Sequence, residues 1–569
     1  MDNQEFEALD DEEQIRVFAK SSIRQRGEFL MRANDPARLT RGLSGEELYL
    51  ITREMDVEER SYVICHASLP QLFFISDIDC WKKDEINSVG FLRWLETLQY
   101  ADEKLLLQWL TQMDYEAVVA GLQKFVEVLK PEWEYVVDDV LGDRPYFTLD
   151  HRYFICVEES NMATLRRALE VLYENHRGRY VAVLEGILGE SEYELEEEAY
   201  RRRETRLADR GFPDMETAQR ILVPLTRQEF EQFDKKNPER KSKSAVPISE
   251  EPRLIYPVLW SMERLFLDDV LATFRDDPLA VSDGLYEELA WLSNKVLVCE
   301  GIDFTSEAKV RRGVVRSRHI LNLGLEVLSR KDMATAHAIL KERWLETVFR
   351  YGMGLLCELR NRVHDLVRVR WKGDALHLLE FLDSPYDFIV RGLQLTPIPA
   401  CYDDRKQDEL DYLRDFTTLL DFERTQRAIE QVEKMHAFLY ALGKVSGGSG
   451  ATLFRLMGNA FIRHTLHKKS SIKPVSPEDL KLFVTRTFAD QGARRKLNRE
   501  IRESFLTDFF SEADRELLRP LWGLLFARME EEFEGLKCSA DIRYDYTTPV
   551  CLIRREQQQK KAKKATRRR

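Results

Sequence analysis

The stretch Gly443-Lys-Val-Ser-Gly-Gly-Ser-Gly-Ala-Thr452 holds the residues best suited to seizing an anion. A phosphate-cradling loop needs closely spaced backbone amides, a helix N-terminus and usually a lysine just inside the helix. Gly447, Gly448 and Ser449 bring the small residues, and the pattern from Leu453 to Thr465 predicts a helix behind them. The order G-x-x-x-x-G-K-[ST] is missing, and an amphipathic helix over 429–442 precedes the loop in place of a strand. A helix–helix turn is the expected role, with anion binding as the alternative. Two basic clusters could join it: Lys309, Arg311, Arg312, Arg316, Arg318 and His319, then Arg360, Arg362, His364, Arg368, Arg370 and Lys372. The planar guanidinium fork matches phosphate and carboxylate. Arg312, Arg316 and Arg362, with Gly447, Gly448 and Ser449, are therefore the candidate anion-binding residues. The plainer expectation is that these arginines pair with acids of the chain such as Glu307, Glu346 or Asp374.

Other chemistries find less footing. His464 and His467 share a helix face and could give two metal ligands, yet no third ligand is local and Lys468 and Lys469 would repel a cation. H-E-x-x-H, C-x-x-C, G-x-S-x-G and dinucleotide fingerprints are all missing. No catalytic residue, metal site or cofactor is expected. Aromatics stand next to basic residues in scattered pairs such as Arg350-Tyr351 and Arg370-Trp371, too sparsely for a base-stacking platform.

The elements that must position these residues are helices. A chain of 569 residues exceeds what one core can fill, and 33% charged residues with 26 Gly and 18 Pro favour long, charge-faced helices. The expected fold class is mainly α: an N-terminal array of short helices, a C-terminal helical unit and minor β elements. Residues 1–43 read as an acidic lead-in. Over 44–233 short amphipathic helices follow one another, opening with the capping box Ser44-Gly-Glu-Glu47 and continuing from Asp56, Asp102 and Asp114. Residues 143–157 look extended, and 190–210 form a surface helix with Glu197–Arg201 and Glu198–Arg202 pairs that stops at Gly211. Residues 234–252 are the expected linker. A unit of longer helices fills 253–555, among them 334–350 and 354–368, with a Pro-containing connection at 384–406 and an extended close at 541–553.

The alternation Leu48–Met55, Asp56–Glu59, Ile64–Leu69 resembles the short-helix superhelix in the cytoplasmic domain of magnesium-transporter-type proteins, over residues 44–125. The stretch Ala199–Ala218, with Arg-Leu-Ala-x-Arg-Gly-Phe-Pro-x-x-Glu-x-Ala at its centre, resembles a bacterial family known only as a domain of unknown function. That kinship implies a shared fold and brings no activity with it.

Net charge is −13, and residues 557–569 carry seven positive charges, leaving −20 on the remainder (−13 − 7). An acidic body argues against a protein that coats nucleic acid. The tail at 556–569 is expected to be a solvated end, and the alternative is an arm on nucleic acid, anionic lipid or an acidic partner. The acidic start predicts no secretory signal, and no apolar run reaches membrane-spanning length. The eight scattered cysteines suit reduced thiols and a cytoplasmic home. The expected function is a non-enzymatic scaffold or adaptor that binds a protein partner through a concave helical surface within 44–230. The alternative is a ligand sensor or enzyme that takes an anionic or phosphorylated small molecule in 253–555.

Overall fold

The computed structural model describes residues 3–10, 13–14, 17–18, 21, 23–53, 55–131, 144–236, 264–274, 281–301, 307–370, 374–404, 412–443, 450–491, 494–534 and 549–553. The fold is mainly α, with a few short strands in small sheets. It divides into two compact units, Met1–Arg350 and Tyr351–Arg569.

Short helices build the first unit because polar starts recur every ten residues or so. At Ser44 the expected capping box is present: Ser44 Oγ accepts the Glu47 amide at 3.2 Å, and Glu47 accepts the Ser44 amide at 3.4 Å. Asp56 caps the next helix through the Glu59 amide at 2.9 Å. The N-terminal residues are more than a lead-in. Phe6 and Phe18 are fully buried, and Phe6 stacks on Phe29 with ring centroids 4.0 Å apart. The extended stretch forms strands Tyr146–Phe147 and Phe154–Val157, antiparallel to one another. Strand Val126–Leu129, which the sequence reading did not anticipate, pairs on the far side of Phe154–Val157. Val126, Val128, Ile155 and Val157 turn to the core from this sheet.

Residues downstream of the expected 234–252 linker also belong to the first unit. Helix Val281–Cys299 packs against helix Met215–Gln219, and Leu297, Val310 and Val314 join the same core as the N-terminal helices. The part of that linker from 237 onward lies outside the described residues, and the unit boundary falls within helix Leu345–Arg370.

The expected helix over 334–350 is two. Met333–Glu342 ends, Arg343 is extended at φ −118° and ψ 149°, and Leu345–Arg370 begins anew and runs through the expected second start at 354. The carboxylate of Glu288 accepts the Leu345 amide at 3.0 Å and stabilises the second start.

In the second unit an aromatic core forms around Phe461, whose ring meets Phe483, Phe505, Trp522 and Phe526 at 5.1–6.4 Å. The stretch 384–406 is more than a connection: it carries helix Tyr386–Leu393, because Tyr386, Val390 and Leu393 fall at helical spacing and are buried. Strand Ala400–Tyr402 follows and pairs with Leu413–Asp415. A hairpin, Phe488–Gln491 with Arg494–Leu497, interrupts the expected helical block. The described part of the C-terminal extended stretch closes this unit, with Ile553 bridged in parallel to Val475.

Candidate functional site

The candidate anion-binding residues occupy separate settings. Arg316, on helix Glu307–Ser329 in the first unit, is ion-paired with Glu300, while Arg312 one turn earlier is exposed. Arg362 belongs to the second unit and lies between Glu433 at 2.7 Å and Glu430 at 3.3 Å. Of the acids expected to neutralise them, Glu346 instead faces Lys295 at 2.6 Å, and Asp374 caps helix Ala375–Phe381 through the His377 amide at 3.1 Å. The side chain of Glu307 is outside the described residues, as are Gly447, Gly448 and Ser449. Helix Leu453–His467 does follow that loop. The carboxylate of Asp383 accepts its Phe454 amide at 2.7 Å and so stands where a bound anion would stand. Burial raises the Asp383 carboxyl above its ordinary range, with the Phe454 amide opposing that shift. His464 and His467 turn to different carboxylates, Asp508 at 3.0 Å and Asp479 at 3.2 Å. Among the described residues no group of three His, Cys, Asp or Glu side chains could hold a metal ion.

The Arg-Leu-Ala-x-Arg-Gly-Phe-Pro stretch is a mechanical joint. Arg206 forks onto Asp77 at 2.7 and 2.9 Å and also binds Asp114. Asp77 is 2% exposed, and burial raises its carboxyl although Arg206 and Arg203 draw it down. The Arg210 guanidinium lies over the Phe74 ring and donates to the Pro70 carbonyl at 2.6 Å. Helix Glu192–Asp209 then ends as expected at Gly211, φ +84°, with the Phe212 amide reaching back to the Leu207 carbonyl at 2.8 Å in a Schellman closure. A Cβ on Gly211 would sit 2.7 Å from the Trp291 Cα, so only glycine lets helix Val281–Cys299 approach this closely. Asn294 Nδ2 seals the joint on the Arg210 carbonyl at 2.8 Å.

Beside the joint lies a cleft of about 340 Å³. Glu288, Trp291, Leu292 and Lys295 form one wall at the i, i+3, i+4, i+7 spacing of a single helix face, and Trp344, Glu346, Thr347 and Arg350 form the other. Trp291 and Trp344 remain 45% and 46% exposed. Each wall is held in place by polar contacts: Glu288 on the Leu345 amide, Lys295 on Glu346, and Arg350 Nε on the Val223 carbonyl at 3.0 Å. Val223 is itself 52% exposed. Sequence reading missed this site. Trp344 reaches the cleft because the helix breaks at Arg343, where neither Gly nor Pro marks a break.

A family model, the family of unknown function DUF6178, matches residues 3–552. The chain belongs to this family. No curated protein and no solved structure matches it. The match runs across both units and includes the joint and both tryptophans of the cleft. The magnesium-transporter likeness gains nothing from these comparisons. No helix among the described residues is long and apolar enough to cross a membrane.

Proposed function

We propose that this DUF6178 protein is a non-enzymatic cytoplasmic adaptor that docks an apolar side chain of a partner protein between Trp291 and Trp344. The observation that carries the reading is the pair of half-exposed tryptophans on opposite walls of a preformed cleft. Tryptophan dominates the energetics of protein interfaces, most of all where it lines a pocket that a partner can dry. With nearly half of about 250 Å² of side-chain area exposed on each ring, covering one contributes about 2–3 kcal/mol. The joint at 206–212 supports the same reading, because it fixes the Trp291 helix before any partner arrives and lowers the ordering cost of binding. Free thiols at the described cysteines agree with a reducing compartment. Sensing of an anionic small molecule has weaker support, since Arg316 and Arg362 already face carboxylates and Asp383 already caps the 453–467 helix.

The test is co-purification of the full chain from its native cells beside the variant Trp291→Ala/Trp344→Ala. A partner retained by the wild type and lost by an equally folded variant supports the reading. Equal retention by both proteins overturns it.

A further inference from the structure

Each charged side chain on the walls of the Trp291–Trp344 cleft is already engaged. Glu288 accepts the Leu345 amide at 3.0 Å, Lys295 meets Glu346 at 2.6 Å, and Arg350 Nε donates to the Val223 carbonyl at 3.0 Å. Two acids thus stand against two bases, and the formal charge of the lining sums to zero. Such a lining has no net charge with which to draw an ionic ligand, and it suits an uncharged one.

The backbone around the cleft is committed in the same way. The Trp344 carbonyl accepts the Thr347 amide at 2.9 Å and the Val348 amide at 3.3 Å. The Arg350 carbonyl accepts the Leu225 amide at 3.1 Å. The walls come from helix Val281–Cys299 and from the start of helix Leu345–Arg370, whose ladders are closed on themselves. No strand edge lines the cleft, so a partner strand finds no ladder to join.

One donor is left over. Trp291 Nε1 has no acceptor among the described residues, although its ring lines the cleft and is 45% exposed. A ligand that complements these walls brings an apolar body for the indole faces and a free carbonyl for that N–H. It also brings few N–H groups of its own, because the acceptors it would meet are in use. A helical ligand fails the second condition, since its carbonyls are consumed by its own ladder. A polyproline II segment meets all three conditions. Its carbonyls carry no internal hydrogen bonds, proline has no N–H, and the pyrrolidine ring is apolar and fixed in shape.

We infer that the cleft takes a proline-bearing segment in the polyproline II conformation, with a proline ring between Trp291 and Trp344 and a peptide carbonyl on Trp291 Nε1. This rests on the adaptor reading and specifies the partner's chemistry. Aromatic-lined grooves are suited to such segments because the ligand is ordered before it binds. The Gly211 joint adds order on the protein's side, as it fixes the helix that carries Trp291.

The experiment measures fluorescence anisotropy of labelled peptides against the full chain. The probe is fluorescein-labelled decaproline. The controls are a leucine-bearing helical peptide of about 15 residues and a decapeptide of alternating threonine and valine. Three proteins are compared, the wild type, Trp291→Phe and Trp291→Ala/Trp344→Ala, with folds verified by circular dichroism. Trp291→Phe keeps an aromatic face and removes only the indole and its N–H. The wild type is expected to bind decaproline saturably, and at least about tenfold more tightly than either control. Trp291→Phe is expected to bind it about three- to tenfold more weakly, the worth of one hydrogen bond. The double alanine variant is expected to lose about tenfold or more.

A wild type that does not bind decaproline overturns the inference. A control peptide that binds as tightly as decaproline does the same, in favour of a helical or strand-forming partner. Trp291→Phe indistinguishable from wild type also overturns it, because the carbonyl then has no role. In each of these cases the adaptor reading stands if co-purification from native cells still depends on the tryptophan pair, and falls with the inference if it does not.

Discussion

Replacing Gly211 with alanine tests the joint that sets the candidate cleft. Two costs arise together. At φ +84° an L-residue is strained by about 1–2 kcal/mol. The new Cβ would lie 2.7 Å from the Trp291 Cα, whereas carbon atoms rest about 3.5–4.0 Å apart, so helix Val281–Cys299 must retreat by roughly 1 Å. Such overpacking costs about 1–3 kcal/mol, and the retreat also stretches the Asn294–Arg210 bond. The combined loss is about 3 kcal/mol. Urea unfolding followed by circular dichroism and tryptophan fluorescence reads it, with acrylamide quenching reporting the exposure of Trp291. Gly211→Asn separates the two costs, because asparagine tolerates the left-handed backbone yet carries the same clashing Cβ. If both variants fall within about 0.5 kcal/mol of wild type, the close approach is not a constraint and the joint does not position the cleft.

Three further outcomes follow from the same contacts. Arg206→Ala leaves Asp77 buried without its forked partner, and a loss of about 3–5 kcal/mol is expected in urea unfolding. Asp383→Ala removes the cap of helix Leu453–His467 and is expected to cost the second unit about 1–2 kcal/mol, read by thermal unfolding. Burial pushes the Glu47 carboxyl up to about 7 against the pull of Arg26. The folded chain therefore keeps a proton that the unfolded chain has already released. Stability from this group is lost as pH rises from about 4.5 to about 7, and Glu47→Gln is expected to flatten that part of the urea-midpoint profile.

Local signals in this sequence were readable and long-range ones were not. Ser44, Asp56 and Ser476 announce their helices because a cap needs only a side-chain oxygen and an amide three residues on. Gly211 and Pro213 mark a helix end for equally local reasons. The partners of the arginines were misjudged because Arg362 finds Glu433 at 71 residues' separation, a distance no periodicity encodes. The hairpin at 488–497 did leave a trace, since Gly492-Ala493 between two short polar–apolar runs suits a two-residue turn. It was absorbed into a helical block by the charge-rich composition around it. The cleft left none. Whether Trp291 and Trp344 are buried or half-exposed depends on how two helices meet and on a helix break that Glu288 stabilises from 57 residues away.

The adaptor reading is tested most directly by a photo-crosslinking residue, p-benzoylphenylalanine, placed at Trp344 in the full chain inside its native cells. Val89, 75% exposed elsewhere on the first unit, serves as the control position. The account predicts a discrete heavier adduct from position 344 containing one partner protein, and no such adduct from position 89. No adduct from 344, or the same adducts from both positions, would contradict it.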